Sequence, residues 1–409
     1  MPTVDDFTRD VLRLTLLPGL GPVLVSRLLA AFGTPEKVLS APPSTWRAVK
    51  GIGPERAAAV AKALPESAAL LEKELALAER LGVSLIARGS PAYPHLLDQL
   101  PDAPPLLYVR GGLDCDPTAG KDRYPVAVVG SRRCTIYGTE QAARFAGFLA
   151  SAGLTIVSGG ARGIDSAAHQ AALRVRGRTV AVLGCGLAHV YPEENKALFD
   201  EIAGGEAGAG GAVVSELPLN TPPSAENFPA RNRIISGMSL GVVVVEAGLG
   251  SGALITARLA AGEHGREVFA LPDRVNAPSS SGSNELLREG AATLVLDPAD
   301  VLNQLEQPAR NTFNTPRGEA NALANALFAE QAPAVEGSIA AGAARTNAVP
   351  SLGLSSAQTD VLETLVGPLS ADDLSRMLAR DAASVRADLT MLELRRLVRR
   401  VGSRFERVA

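Results

Sequence analysis

The chain has 409 residues, more than a single typical domain, and its 46% hydrophobic content suits a globular protein with a sizeable core. A formal net charge of −3 and a pI of about 5.9 exclude a global basic field, so any anion site has to be local. Three cysteines without paired spacing, four histidines without zinc-ligand spacing, and no apolar run near the roughly 18 residues of a membrane span exclude a disulfide scaffold, a zinc site and a bilayer protein.

The odd cysteine set (Cys115, Cys134, Cys185) argues for a reducing compartment. The acidic start (Asp5, Asp6) lacks the regions of a signal peptide, so the expectation is a soluble cytoplasmic protein without a metal. Residues 7–86 read as helical, with two Gly-x-Gly turns in "LLPGLGPVLVSRLLAAFG" and "VKGIGPERAAAVAKAL". Each turn is followed by a proline at a helix start, where its missing N–H costs nothing. The pattern resembles helix-hairpin-helix repeats, which offer backbone N–H groups to a phosphate, and a small helical bundle with tight glycine turns explains it equally well.

A proline-punctuated connector, 88–111, ends in a short strand. From Val126 onward strands alternate with helices, the strands at "VAVVG", "LTIVSGG", "TVAVLGCG", "AVVSEL", "GVVVVEA", "EVFALP" and "TLVL". The helices fall at 139–151, 164–176, 193–203, 231–238, 252–264 and 284–290. That rhythm predicts a doubly wound α/β domain with a mainly parallel sheet. Residues 307–353, dominated by Ala, Asn, Pro, Gly and Thr, read as a flexible linker, and 354–409 are helical again with an arginine-rich, strand-like end. The expected division is 1–87, 88–306, 307–353 and 354–409.

Four strand ends run into glycine loops: "VGSRRCTIYG", "SGGARGIDSAAHQAAL", "LGCGLAHVYP" and "EAGLGSGALITA". In an open parallel sheet, ligands bind beyond the carboxyl ends of the strands, where glycine lets backbone approach and helix N-termini attract anions. Four such loops, two with arginine, point to a phosphate-binding edge. Neither the spacing of a dinucleotide fingerprint nor a P-loop Lys-Ser/Thr pair is present, so nicotinamide, flavin and ATP are not expected. Residues 125–305 hold 13 arginines and one lysine (Lys196), a bias that suits phosphate and base recognition, although a GC-rich genome also produces it. The segment "FPARNRIISGMSLGVVVVEA" sets Arg231, Asn232 and Arg233 at the start of a helix leading to the buried strand at Val242–Val245. Such charge is either salt-bridged scaffolding or a binding site at the sheet edge.

Taken in order, "VGSR", "SGGARGIDSAAH", "AVLGCGL…YP", "SEL…P…FPARNRIISG" and "VVVVEAGLGSGALITARLA" resemble the DNA-processing protein A family (DprA, also called Smf) over roughly 90–296. The resemblance implies a Rossmann-like domain between an N-terminal helix-hairpin-helix or SAM-like domain and a C-terminal winged helix. It implies a protein of natural transformation that binds single-stranded DNA, protects incoming strands and loads the RecA recombinase. Such a protein acts as a homodimer, without catalysis or cofactor. Carried over by position, its DNA site comprises Ser131, Arg132, Gly160, Phe228, Arg231, Asn232, Arg233, Ser251 and Gly252. The chain departs from the family at Ala188, where an acid is usual, and at Pro272-Asp273, where Pro-Gly is usual.

The alternative is a nucleotide-hydrolysing enzyme of the lysine-decarboxylase-like group. Its signature places a glutamate after the phosphate loop, whereas here Glu246 precedes the glycines. Asp165 and His169, four apart on a helix, offer an acid/base pair or a helix-start acid with a packed histidine. Cys185, between two glycines, reads as a small buried turn residue, and Phe228 as either a base-stacking surface or a core anchor. With aromatics at 4%, binding should lean on phosphates and be weakly sequence-selective. In the last module, 384–398 reads as a recognition-type helix with Val385, Leu389, Leu392 and Leu397 inward. Arg395, Arg396, Arg399, Arg400 and Arg404 read as a second DNA site there, double-stranded DNA included, or as a protein-contact face.

Overall fold

The computed structural model describes residues 4–204, 210–313 and 354–408, apart from Val366, Arg396, Gly402 and Ser403. The chain folds as two compact units, 1–303 and 304–409. Among the described residues no helix is long and apolar enough to cross a membrane.

The N-terminal helices are α1 (Asp6–Thr15), α2 (Pro22–Phe32), α3 (Pro35–Ser40), α4 (Pro54–Ala63) and α5 (Ser67–Leu81). Gly21 and Gly53 cap α2 and α4, each with proline in the first turn. Trp46, Leu14, Val25, Leu28 and Val60 form a core of their own. The outer faces of α1 and α5 (Val11, Leu12, Leu71, Leu77) pack with Tyr108, Phe199 and Val213 on one face of the main sheet. The all-helical expectation for 1–87 needs correcting at its end. Gly82 stops α5 in the left-handed conformation (φ 64°), and Val83–Ala87 becomes strand β1 by pairing with β2 (Leu106–Gly111). Five residues give little periodicity to read, and the partner that makes them a strand is distant in sequence.

The sheet continues with β3 (Pro125–Val129), β4 (Thr155–Ser158), β5 (Arg178–Val182), β6 (Gly210–Ser215), β7 (Gly241–Val244), β8 (Glu267–Ala270) and β9 (Thr293–Leu294). The order is β1-β2-β6-β5-β4-β3-β7-β8-β9, antiparallel only between β1, β2 and β6. Each of β3, β4 and β7 is buried along its whole length, as helices on both faces require of parallel strands. The crossover helices are α7 (Ile136–Ser151), α8 (Ile164–Arg174), α9 (Lys196–Gly204), α10 (Asn227–Gly237) and α11 (Gly252–Gly262), after a short α6 (His95–Asp98); α12 (Ser281–Arg288) and α13 (Pro298–Phe313) follow. From β3 the chain winds one way through β4, β5 and β6, then returns through α10 to β7 on the other side of β3. The switch point therefore lies between β3 and β7, whose register pairs Val128 with Val243.

Two expected boundaries shift here. The helix expected at 231–238 begins at Asn227, because Pro229 sits in its first turn, where no N–H partner is lost. Of the expected linker 307–353, residues 307–313 continue α13, and 314–353 lie outside the described residues.

In the second unit, α14 (Ser356–Thr364), α15 (Ala371–Leu378) and α16 (Ala382–Leu394) precede a two-stranded wing, β10 (Val398–Val401) and β11 (Arg404–Arg407). Capping boxes at Ser355/Gln358 and Ser370/Asp373 start the first two helices. Val361, Leu374, Val385, Leu389 and Leu392 form the core, with Leu397 packed against it. The recognition-type helix ends at Leu394 rather than 398, because Val398 pairs across the wing with Arg407.

Candidate functional site

A cleft of about 920 Å³ opens at the β3/β7 switch point. It is lined by Ser131 and Arg132 from the loop after β3, Ser251 and Gly252 from the loop after β7, and Phe228, Arg231 and Asn232 from α10. Seven of the nine residues expected from sequence thus meet in one cleft. Gly160 and Arg233 are not in its lining. Gly160 is buried against the Phe199 ring, which a Cβ there would meet at 2.7 Å.

Arg231, Asn232 and Arg233 of α10 separate because neighbours along a helix do not share a face. Arg231 turns back to the sheet edge and is only 5% exposed. Its Nη1 donates to the carbonyl oxygens of Gly159, at 2.5 Å, and Val182. Gly159 has no room for a side chain, since a Cβ would lie 2.6 Å from the guanidinium. Burial lowers the Arg231 pKa to about 10 against the opposing field of Asp165, with Arg132 adding repulsion. Asn232 donates from Nδ2 to Gly252 O (3.2 Å), tying α10 to the glycine loop after β7. Arg233 points elsewhere, onto Glu216 at 2.5 Å and Asp102 at 3.6 Å. Of the two readings of the charged segment, salt-bridged scaffolding fits Arg233, while Arg231 lies buried at the sheet edge.

Arg132 and Arg133 differ from both. They are exposed, and among the described residues neither has a carboxylate within ion-pair distance. The Arg132 guanidinium lies over the Phe228 ring (4.9 Å), and Tyr191 stands 5.3 Å beyond Phe228 at a 40° tilt. This row combines cation, aromatic faces and open cleft, the chemistry that holds a nucleotide by phosphate and base together. Sequence reasoning did not select Arg133 and Tyr191. Arg133 was legible as the next residue of the loop, whereas Tyr191 is 37 positions from Phe228 and meets it only in the fold.

The groups considered for catalysis are occupied. Glu246 is fully buried, and its carboxylate accepts from the N–H (3.1 Å) and Oγ1 (2.6 Å) of Thr135, the N-cap of α7. Its carbonyl accepts from Ser131 N–H at 2.7 Å, so the residue holds the loop that carries Arg132. Asp165 accepts from Ala161 N–H (3.2 Å) near the start of α8, and burial raises its pKa. His169 is buried on Thr179 (2.6 Å), and burial together with Arg231 lowers its pKa to about 3. Burial pushes the Cys185 thiol up to about 11. Among the described residues no group of three His, Cys, Asp or Glu side chains is placed to hold a metal ion. Of the two departures, Asp273 accepts from Ser280 Oγ at 2.6 Å and Ala188 donates its N–H to Leu219 O at 3.0 Å, both local loop contacts.

In the winged module, Arg399 pairs with Glu406, Arg400 lies 5.5 Å from the Phe405 ring, and Arg404 is exposed. Arg395 caps the end of α16, and Arg396 lies outside the described residues. Among the described residues of α16 the exposed ones are Ala383 and Arg386, the latter 3.3 Å from Asp372.

A sequence profile described as DNA recombination-mediator protein A matches residues 84–306. Profiles of a SAM-like helix-hairpin-helix tandem and of the DprA winged helix domain match 11–66 and 345–403. Protein Smf of Escherichia coli is 46% identical over 236 residues, 58% of this chain and 60% of that protein. Protein Smf of Synechocystis is 39% identical over 68% of this chain and 67% of its own length. The chain thus spans about 60% to 67% of the length of these relatives. The X-ray structure of DNA processing protein A from Streptococcus pneumoniae superimposes with a TM-score of 0.63 at 34% identity, covering 73% of this chain and 98% of that one. With the profile spanning more than half of its residues, the chain belongs to the DNA recombination-mediator protein A family.

Proposed function

We propose that the β3/β7 cleft binds single-stranded DNA without sequence preference, and that the protein protects such strands and delivers them to the RecA recombinase in natural transformation and recombination. The observation that carries this reading is the pair of exposed arginines, Arg132 and Arg133, which have no carboxylate partner among the described residues and line one cleft with Phe228 and Tyr191, Arg132 lying over the Phe228 ring. Guanidiniums free of carboxylates are available to phosphate, and aromatic faces accept any base. Ser131, Ser251 and Gly252 line the mouth of the cleft, Arg231 and Asn232 hold its shape, and Gly160 and Arg233 act from behind it. The duty of RecA loading rests on the family resemblance alone.

Binding rather than chemistry is favoured because Glu246 precedes the glycines, unlike the glutamate of the hydrolase signature, and its carboxylate is engaged by Thr135, the N-cap of α7. We further infer a homodimer in the cytoplasm. The open edge at β9 exposes Leu294 and Leu296, with Ile136 exposed at the start of α7, an apolar set suited to a second copy. Leu296→Asp should convert a dimer to a monomer in sedimentation, and a wild-type monomer would contradict the inference. The winged module would add a weak, sequence-independent duplex contact through Arg400 and Arg404, since α16 presents little to read bases with.

Titrating the protein with oligo-dT and oligo-dC over a range of salt tests the main reading. It expects similar affinities and a linear fall of log K with log salt. Absence of binding, or steady release of free base from nucleoside monophosphates, would overturn it.

A further inference from the structure

One arginine on the rim of the cleft is exposed and yet occupied. Arg162 stands in the SGGARG turn after β4, with its Nε and Nη2 facing the two oxygens of Glu194, the second at 2.9 Å. The two side chains are 58% and 50% exposed. Glu194 lies in the short turn Glu193–Asn195, which Asn195 ties down by donating from Nδ2 to Gly160 O (2.9 Å) and Ser166 Oγ (2.8 Å). The pairing keeps both groups charged, raising the pKa of Arg162 and lowering that of Glu194. Gly163, at φ 75°, brings this turn against the Arg132 loop so closely that a Cβ would lie 2.3 Å from Ser131 O. A side cleft beside the main one is lined by Arg132, Phe228, Tyr191 and Arg162 together.

We propose that Arg162 is a further strand-binding residue, and that Glu194 occupies it as an internal stand-in for phosphate until a strand leaving the cleft over Phe228 and Tyr191 displaces the carboxylate. This rests on the reading of the cleft as a single-stranded DNA site. A guanidinium fork meets carboxylate and phosphate oxygens with the same two-point geometry, so the two anions compete for one place. An exposed ion pair contributes little, which makes the exchange cheap, whereas the Arg233–Glu216 pair, 11% and 6% exposed, is not exchangeable in this way. A phosphate tethered by the rest of its strand arrives at high effective concentration and wins the exchange, while a free small anion does not. Arg162 is thereby reserved for strands long enough to reach it.

Poly-dT binding against salt, with unfolding temperatures as a control, decides this for wild type, Arg132→Ala, Arg162→Ala, Glu194→Gln and the last two combined. Glu194→Gln should bind about two- to three-fold tighter, with a steeper salt slope, because no carboxylate has to be displaced. Arg162→Ala should bind more weakly, with a slope smaller by about 0.7. In the Arg162→Ala background, Glu194→Gln should bring no gain. An equal gain in both backgrounds reduces Glu194 to a distant charge and overturns the exchange. If wild type binds and Arg132→Ala weakens it while Arg162→Ala and Glu194→Gln match wild type, this assignment fails and the reading of the cleft stands. If wild type does not bind poly-dT, both fall.

Discussion

Arg132 and Arg231 line the same cleft, one on the loop after β3 and the other on α10, and their surroundings are opposite. Arg132 is exposed, rests on a phenyl face and has no carboxylate partner among the described residues. Arg231 is buried, and one of its nitrogens already donates to two carbonyl oxygens. An arginine near a site is therefore not by that fact alone a ligand contact. What matters is how far it is already buried and bonded inside the protein before a ligand arrives: Arg231 Nη1 is engaged, although its buried Nε has no partner among the described residues. On this account Arg231 shapes the cleft and Arg132 works in it.

The largest expected effect is on stability. Arg231→Ala leaves the carbonyls of Gly159 and Val182 without this donor and removes the cation nearest the buried Asp165, which should cost about 3 kcal/mol in unfolding experiments. A variant as stable as wild type would erase the contrast between the two arginines.

The buried layer behind Arg231 should also make the fold acid-sensitive. His169 has its folded pKa lowered from 6.5 to about 3 by burial and by Arg231, so the unfolded chain binds a proton that the folded chain refuses. Stability from this group is therefore lost as pH falls below 6.5, by about 2 kcal/mol between roughly pH 7 and pH 5. Asp165, raised by burial, acts in the opposite sense, favouring the fold as it takes up a proton. His169→Asn should flatten the acid limb of a urea-midpoint profile. An unchanged limb would mean that His169 is protonated in the folded state.

A smaller effect is expected on binding at the Arg132 side of the cleft. Phe228→Leu keeps an apolar side chain while removing the ring under Arg132, and should weaken oligo-dT binding by about 1 kcal/mol. The salt slope should not change, since stacking releases no counterions. A reduced slope would show that the ring acts by placing Arg132 on a phosphate.

Much of this was legible in the residues. The Val242–Val245 run is β-branched and continuous, as a strand covered on both faces must be, and the glycine loops after β3 and β7 marked the sheet edge at which the cleft opens. Pro229 hid the true start of α10, because proline in a first turn looks like a break before a helix although it breaks nothing there. Arg231 and Arg233 were grouped by adjacency, but residues two apart on a helix diverge, and their spacing already implied separate fates. Strand β1 and the Tyr191–Phe228 contact depend on partners far along the chain, so no local pattern announces them.

Arg132 is expected to hold phosphate while Arg231 holds the protein. Oligo-dT affinity against salt for Arg132→Ala and Arg231→Ala, beside their unfolding temperatures, tests it most directly. Arg132→Ala should lose about 1.5–3 kcal/mol of binding and about 0.7 of the salt slope, alike for every base composition and at wild-type unfolding temperature. Arg231→Ala should unfold earlier and, while folded, keep the wild-type slope. Wild-type affinity and slope in Arg132→Ala, or a slope lost in Arg231→Ala instead, would contradict the account.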